Sequence, residues 1–134
     1  MQDTFIGVDV AQDKLDIAGS PGCEHLCLAN QRRAIGAWLK KLPAGSTIAM
    51  ESTGCYHQLL AAMAHEVGLR VFVLNPKRIW HYARSEGRRG KTDRIDAQVI
   101  RDYLRDHIHR LHAWSPGTAL QTEIETLQRR RQTL

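Results

Sequence analysis

No uninterrupted apolar stretch among the 134 residues approaches the roughly 20 that a membrane-crossing helix requires. A transmembrane helix is excluded on that ground, and no membrane partner is expected. The opening MQDTFIGVDV has neither the basic region nor the apolar segment of a secretory signal. Cysteine is scarce too. Cys23, Cys27 and Cys55 are odd in number and irregularly spaced, which argues against a disulfide framework and fits reduced thiols. A cytoplasmic location is the expectation. Cys23, His25 and Cys27 lack a second ligand pair at zinc-binding spacing, so a zinc site is not expected. Internal repeats and low-complexity tracts are absent. What remains is a chain of one-domain length, able to hide roughly two-thirds of its unfolded surface without staples.

Positive charge is in excess but unevenly spread. The net charge is +5 and the pI is near 9.4. Residues 1–76 carry six Lys and Arg against seven Asp and Glu, whereas residues 77–134 carry thirteen against seven. Lys77, Arg78, Arg84, Arg88, Arg89, Lys91 and Arg94 fall in one short segment beside two acids. Such crowding favours a polyanionic partner, because each neutralised phosphate releases counterions. A solvated basic loop would have the same composition.

The segment FIGVDV alternates as a strand, with Ile6, Val8 and Val10 on one face and Phe5, Gly7 and Asp9 on the other. After the turn AQD, KLDIA predicts a second strand paired back on the first, and HLCLA a third. Asn30 suits a helix N-cap, with Ile35, Trp38, Leu39 and Leu42 facing inward. TIAME predicts a fourth strand ending on Glu51. The turn STG leads to a helix with an inner stripe of Leu60, Met63, Ala64 and Val67, closed by Gly68. RVFVLN is apolar enough for a strand buried on both faces. PKRIWHYARSEGRRGK is basic and irregular, with helix expected in its first half. Thr92 can cap a last helix running to about His112, with Ile95, Val99, Tyr103, Leu104 and Ile108 inward. After AWSPG, the spacing of Leu120, Ile124, Leu127, Arg131 and Leu134 forms a heptad seam of about two repeats. The expected organisation is a domain over 1–112, a linker over 113–117 and the start of a coiled coil over 118–134. The order β-β-β-α-β-α-β-α-α implies an α/β fold, with three antiparallel strands followed by alternating helix and strand in a mixed sheet flanked by helices.

Four acids stand out. Asp9 is the one charged residue in the apolar run from Phe5 to Ala11, where a carboxylate is costly unless hydrogen-bonded, solvated or bound to a cation. Glu51 closes the apolar strand TIAM in the same way. Asp93 and Asp96, at i and i+3 after Thr92, would lie roughly 60° apart around a helix axis. Each has an ordinary explanation taken singly: a turn former, a strand-end carboxylate, acids at a helix N-terminus. Together they match the oxygen-ligand chemistry of Mg²⁺, with Mn²⁺ as a substitute, and of two-metal phosphoryl transfer. Arg88, Arg89, Lys91 and Arg94 would offset the repulsion between clustered carboxylates and a phosphodiester.

The segments IGVDVAQDKLDIA, AMESTGCYHQLL and LNPKRIWHYARSEGRRGKTDRIDAQVI, with their spacing, resemble the amino-terminal domain of the DEDD-type insertion-sequence transposases. That family includes the pilin-gene invertase and the bridge-RNA-guided recombinases. The resemblance covers residues 4–112. It implies a RuvC-like, ribonuclease H-like fold, with the four family acids at Asp9, Glu51, Asp93 and Asp96 acting as both catalytic and metal-binding residues. It further implies Mg²⁺-dependent phosphodiester cleavage and strand transfer, DNA and guide RNA as partners, and a dimer or tetramer assembled through the coiled coil. In the family a carboxy-terminal domain after the coiled coil supplies a nucleophilic serine. That domain is expected to be missing here, and Ser52, Ser85 and Ser115 are not candidates for the role.

Two other functions remain open from the residues alone. The chain can be an autonomous Holliday-junction-type nuclease, with the four acids hydrolysing branched DNA unaided. It can also be a nucleic-acid-binding module without chemistry of its own. ATP hydrolysis of the sugar-kinase type is not expected, because Val10, Ala11, Gln12 and Asp13 replace the glycine-bearing phosphate hairpin after Asp9. Ser52, Thr53 and Gly54 can either cap a helix or meet a phosphate. The resemblance places Tyr56 near the site. Trp80 and Tyr82 can stack on bases or form, with Ile79 and Ala83, the buried side of a short helix. His107, His109 and His112 are expected to decorate an exposed helix end.

Overall fold

Branched apolar residues on alternating positions build a sheet that is covered on both faces. A computed structural model describes residues 4–52, 54–86 and 96–116. Its strands are β1 (Phe5–Val10), β2 (Lys14–Ser20), β3 (Cys23–Ala29), β4 (Thr47–Glu51) and β5 (Arg70–Leu74), in the order β3-β2-β1-β4-β5. The first three are antiparallel neighbours, while β1, β4 and β5 run parallel. Four helices accompany them: α1 (Arg32–Leu39), α2 (Gln58–Glu66), α3 (Pro76–Ser85) and α4 (Ala97–His107), the last followed by a short 3-10 turn at Ile108–Arg110. This is the mixed sheet, in the strand and helix order, that the sequence predicts for a ribonuclease H-like fold.

Two cores divide the faces. Ile6, Val8, Ile48, Met50 and Val71 point toward α1 and α2, where Ile35, Trp38, Leu60 and Ala64 meet them. Ala49, Phe72 and Leu74 point the other way, toward Ile79, Tyr82, Ile100, Tyr103 and Leu104 of α3 and α4. The period-2 alternation read from FIGVDV is therefore the division between the two layers.

The helix boundaries depart from expectation in three places. Asn30 does not cap α1; the N-cap is Gln31, with no side-chain hydrogen bond, because the Asn30 amide is engaged elsewhere. In α2 the buried stripe is Leu60, Ala61 and Ala64, and Val67 is 56% exposed. Val67 is the C-cap of that helix, past its last full turn, so the helical period no longer turns it inward. Helix α4 starts at Ala97, well after Thr92. Asp96 takes the cap with an extended backbone (φ −106°, ψ 174°), its Oδ1 accepting from Val99 N at 2.9 Å. Ile95, expected to face inward from that helix, lies outside the described residues.

Beyond α4, the expected linker begins with a docked segment. The Trp114 backbone N–H donates to Val71 O at 2.6 Å, and its ring meets His65 edge-on at 5.9 Å. Trp114 thereby covers the outer edge of β5, which pairs with no further strand among the described residues. The expected coiled-coil seam over 118–134 lies outside the described residues.

Glycine decides how closely α4 approaches the sheet. A Cβ at Gly7 would overlap the Ala97 carbonyl oxygen and the backbone nitrogen of Arg101. A Cβ at Gly36, on α1, would meet only the end of the Met63 side chain at 3.6 Å. Thermal or urea unfolding should therefore separate the two. Gly7→Ala is expected to destabilise by about 1–3 kcal/mol or more, and Gly36→Ala to stabilise by up to about 1 kcal/mol through helix propensity.

Candidate metal and nucleic-acid site

Asp9 shares a face with Gly7, and that face is the one α4 crosses. Glu51 shares its face with Ala49, part of the same α3/α4 layer. The parallel register pairs Gly7 with Ala49 and Val8 with Met50, and the next step sets Asp9 beside Glu51. Both carboxylates therefore belong to the carboxyl ends of neighbouring parallel strands, one residue past the last β1–β4 pair, on the face toward α3 and α4. In open α/β sheets ligands gather at this end, where the chain leaves adjacent strands in opposite directions. Here β1 turns back into β2, while β4 leads away to α2.

Asp96 reaches the same face by a different route. Helix α4 crosses β1 at Gly7 within its first turn, and Asp96 caps that turn. It lines a groove of about 300 Å³ together with Ala18, His25, Glu24 and Arg101, between the β2–β3 hairpin and the start of α4. The expected shared helical face for Asp93 and Asp96 is not available, since Asp96 precedes the helix with extended backbone. Asp93 itself lies outside the described residues. Among the described residues, no group of three or more His, Cys, Asp or Glu side chains stands ready to hold a metal ion. The structure thus puts Asp9 and Glu51 at the ends of adjacent strands on one face and sets Asp96 within one turn of the α4–β1 crossing.

A further acid, not among the four singled out in the sequence, belongs to this row. Asp16 sits directly opposite Asp9 in the β1–β2 ladder, so the Cβ atoms are about 5 Å apart and like charges face each other. The sequence does carry a signal for it: the turn AQD, taken as a tight hairpin, fixes this pairing. Cys27 follows Asp16 on the same row, and all three cysteines are free and exposed.

The basic residues divide by position. Lys77, Arg78 and Arg84 lie exposed on α3, while Arg88, Arg89, Lys91 and Arg94 lie outside the described residues. Helix α3 starts just past Leu74, the strand residue paired with Glu51. Its cap is Asn75, whose side chain accepts from Lys77 N at 2.9 Å, with Pro76 in the first turn. The cationic helix therefore begins at the acid-bearing end of the sheet.

The aromatic residues on α3 part company. Tyr82 turns inward, donates to Asp106 Oδ2 at 2.6 Å and meets Tyr103 edge-on. Trp80 is half-buried with the Arg84 guanidinium 4.6 Å above its ring, so a base stacking there would compete with Arg84. Tyr56 is 43% exposed on the turn after β4. Ser52 donates its backbone N–H to Leu74 O, which continues the strand rather than capping a helix, and Thr53 lies outside the described residues. His109 and His112 are exposed as expected, but His107 is half-buried and stacks on Tyr103 at 4.3 Å.

A model of the DEDD transposases of the IS110 type, described as transposase, matches residues 6–134. The chain belongs to this family. The chain is also 28% identical to a pilin gene-inverting protein from Moraxella bovis and 26% identical to one from Moraxella lacunata, in each case over 98% of its own length. It spans 43% of the length of either relative. No helix among the described residues is long and apolar enough to cross a membrane.

The Tyr82 hydroxyl, followed by weaker help from Arg105 and His107, holds the Asp106 carboxyl below its ordinary value. A lowered carboxyl contributes stability above its unfolded value of about 4 and loses it as pH falls through the folded value. Asp106 is partly exposed, so solvent screens the effect and the contribution is small. Acid unfolding of Tyr82→Phe is expected to show less pH dependence below about pH 4 than the unaltered chain, and weaker docking of α3 at neutral pH.

Proposed function

We propose that this chain is the acid-bearing domain of a DNA transposase or site-specific recombinase, in which Asp9, Glu51, Asp93 and Asp96 hold Mg²⁺ for phosphodiester cleavage and strand transfer. The observation that carries the reading is the register, which puts Asp9 and Glu51 one residue past the last β1–β4 pair, at the ends of adjacent strands on the face crossed by the helix that Asp96 caps. The donor set fits a hard cation: carboxylate oxygens from separate elements. A bound ion would polarise the phosphodiester and stabilise charge on the attacking and leaving oxygens. The chain's own residues do the rest. The carboxylates of Asp9 and Glu51 hold the cation and orient it, and Asp16 deepens the negative field that attracts it.

Nucleic acid would be gripped by Lys77, Arg78 and Arg84 on α3, continued by Arg88, Arg89, Lys91 and Arg94. The position of α3, starting beside Glu51, supports a backbone that passes from the cationic helix to the acids. DNA is the substrate this reading requires, and a guide RNA is a second polyanion the same residues can serve. The nucleophilic serine and the oligomeric assembly through the heptad segment belong to the full transposase, of which this chain would be the cation-binding part. A nuclease sufficient in itself is the rival, and turnover of branched DNA by the isolated chain would favour it.

Two measurements test the proposal. Mn²⁺ titration followed by electron paramagnetic resonance should show binding that Asp9→Asn and Glu51→Gln each weaken by about tenfold or more; equal binding by all three proteins would sink it. Duplex binding should depend on salt. Replacing Lys77, Arg78 and Arg84 by alanine should flatten the log–log slope by about 0.9 for each phosphate no longer neutralised, while leaving Mn²⁺ affinity nearly unchanged.

A further inference from the structure

The ladder between β1 and β4 runs from Phe5 and Thr47 to Val8 and Met50. One residue later each strand pairs outward, Asp9 with Asp16 of β2 and Glu51 with Leu74 of β5. The β1–β4 pairing therefore ends just before the two carboxylates, while each strand stays paired with its outer neighbour. Strand pairing alone leaves the separation of those carboxylates free to vary.

Asn30, the first residue after β3, spans the turns above this gap. Its backbone N–H donates to Asp13 O at 3.0 Å. Its side-chain Nδ2 donates to Ala11 O at 2.9 Å and to Tyr56 O at 3.1 Å. Ala11 lies two residues after Asp9, in the β1–β2 turn, and Tyr56 lies five residues after Glu51, in the β4–α2 turn. A primary amide carries two N–H donors on one nitrogen, and here each fastens one of the two turns. Aspartate offers no donor at that place and serine offers one. The Oδ1 of the same amide is buried with no partner among the described residues, a cost that offsets part of what its two donated bonds contribute to stability.

We propose that Asn30 is a positioning residue, which holds the β1–β2 and β4–α2 turns together and so sets the separation of Asp9 and Glu51. The inference rests on the reading of those two acids as a cation-binding pair. It makes Asn30 part of the cation site without touching the ion.

Asn30→Leu keeps the side-chain size and removes both donors, while Asn30→Ser is the milder change and keeps one. Mn²⁺ affinity and backbone amide exchange are measured on both variants and on the unaltered chain. Asn30→Leu is expected to weaken Mn²⁺ binding by about tenfold or more, and Asn30→Ser by less. Exchange should quicken at Ala11–Asp13 and Gly54–His57 while the amides of β1 and β4 keep their protection. Unchanged affinity at a temperature where all three proteins are folded overturns the proposal, even if the melting temperature falls. If the unaltered chain binds no Mn²⁺, or binds it as well after Asp9→Asn, the cation reading itself has failed. Exchange then decides for Asn30: quickened turns support the fastening, and unaltered turns overturn it.

Discussion

The contact on which this molecule depends is the approach of the α4 backbone to β1 at Gly7. A side chain there would occupy the space of the Ala97 carbonyl and the Arg101 amide. Without one, the helix lies directly on the central strand and carries its cap, Asp96, to the face from which Asp9 projects. The same packing seats Ile100, Tyr103 and Leu104 against Phe72 and Leu74, closing the second core. One missing methyl group thus links the stability of a layer to the placement of a candidate ligand. In an interior packed as densely as an organic crystal, such a helix cannot shift slightly to relieve a clash.

Sheet topology supplies the second constraint. With β1 between an antiparallel partner and a parallel one, the chain departs from β1 and β4 in opposite directions. Asp9 and Glu51 lie at that divergence, and the return of the chain from β1 into β2 puts Asp16 opposite Asp9. Three acids in adjacent strands, on one face and at one end, make a concentrated negative field. Carboxylates so arranged raise the energy of the folded chain unless a cation or basic groups offset them.

Much of this is legible in the sequence because it depends on period and composition. FIGVDV, TIAME and RVFVLN fall within a residue of β1, β4 and β5, since alternation and turn residues fix short strands well. The acids Asp9 and Glu51 are visible as charges in apolar runs. What escapes depends on partners remote along the chain. Asn30 has the chemistry of a helix cap, and nothing local reveals that Ala11 and Tyr56 compete for its amide. Thr92 and Asp96 are both able caps, and the Gly7 contact favours the later start by fixing where the first turn of α4 must lie. Asp16 is one more polar residue on a half-exposed strand until register sets it against Asp9.

The placement of the cations follows from the placement of the acids. On the proposed reading, a phosphodiester approaching the Asp9–Glu51 end would meet repulsion that positive charge within a Debye length of about 8–10 Å would offset. Helix α3 starts immediately after the strand beside Glu51, with its apolar side, Ile79 and Tyr82, packed onto α4. The Tyr82 bond to Asp106 and the stacking of Tyr103 on His107 hold that seam. Lys77, Arg78 and Arg84 are then carried outward on a helix whose orientation is set by the same core that places Asp96. Acids and cations are thus held by one packed layer. A change in the α3–α4 seam would move the two sets of charges relative to each other rather than alter either alone.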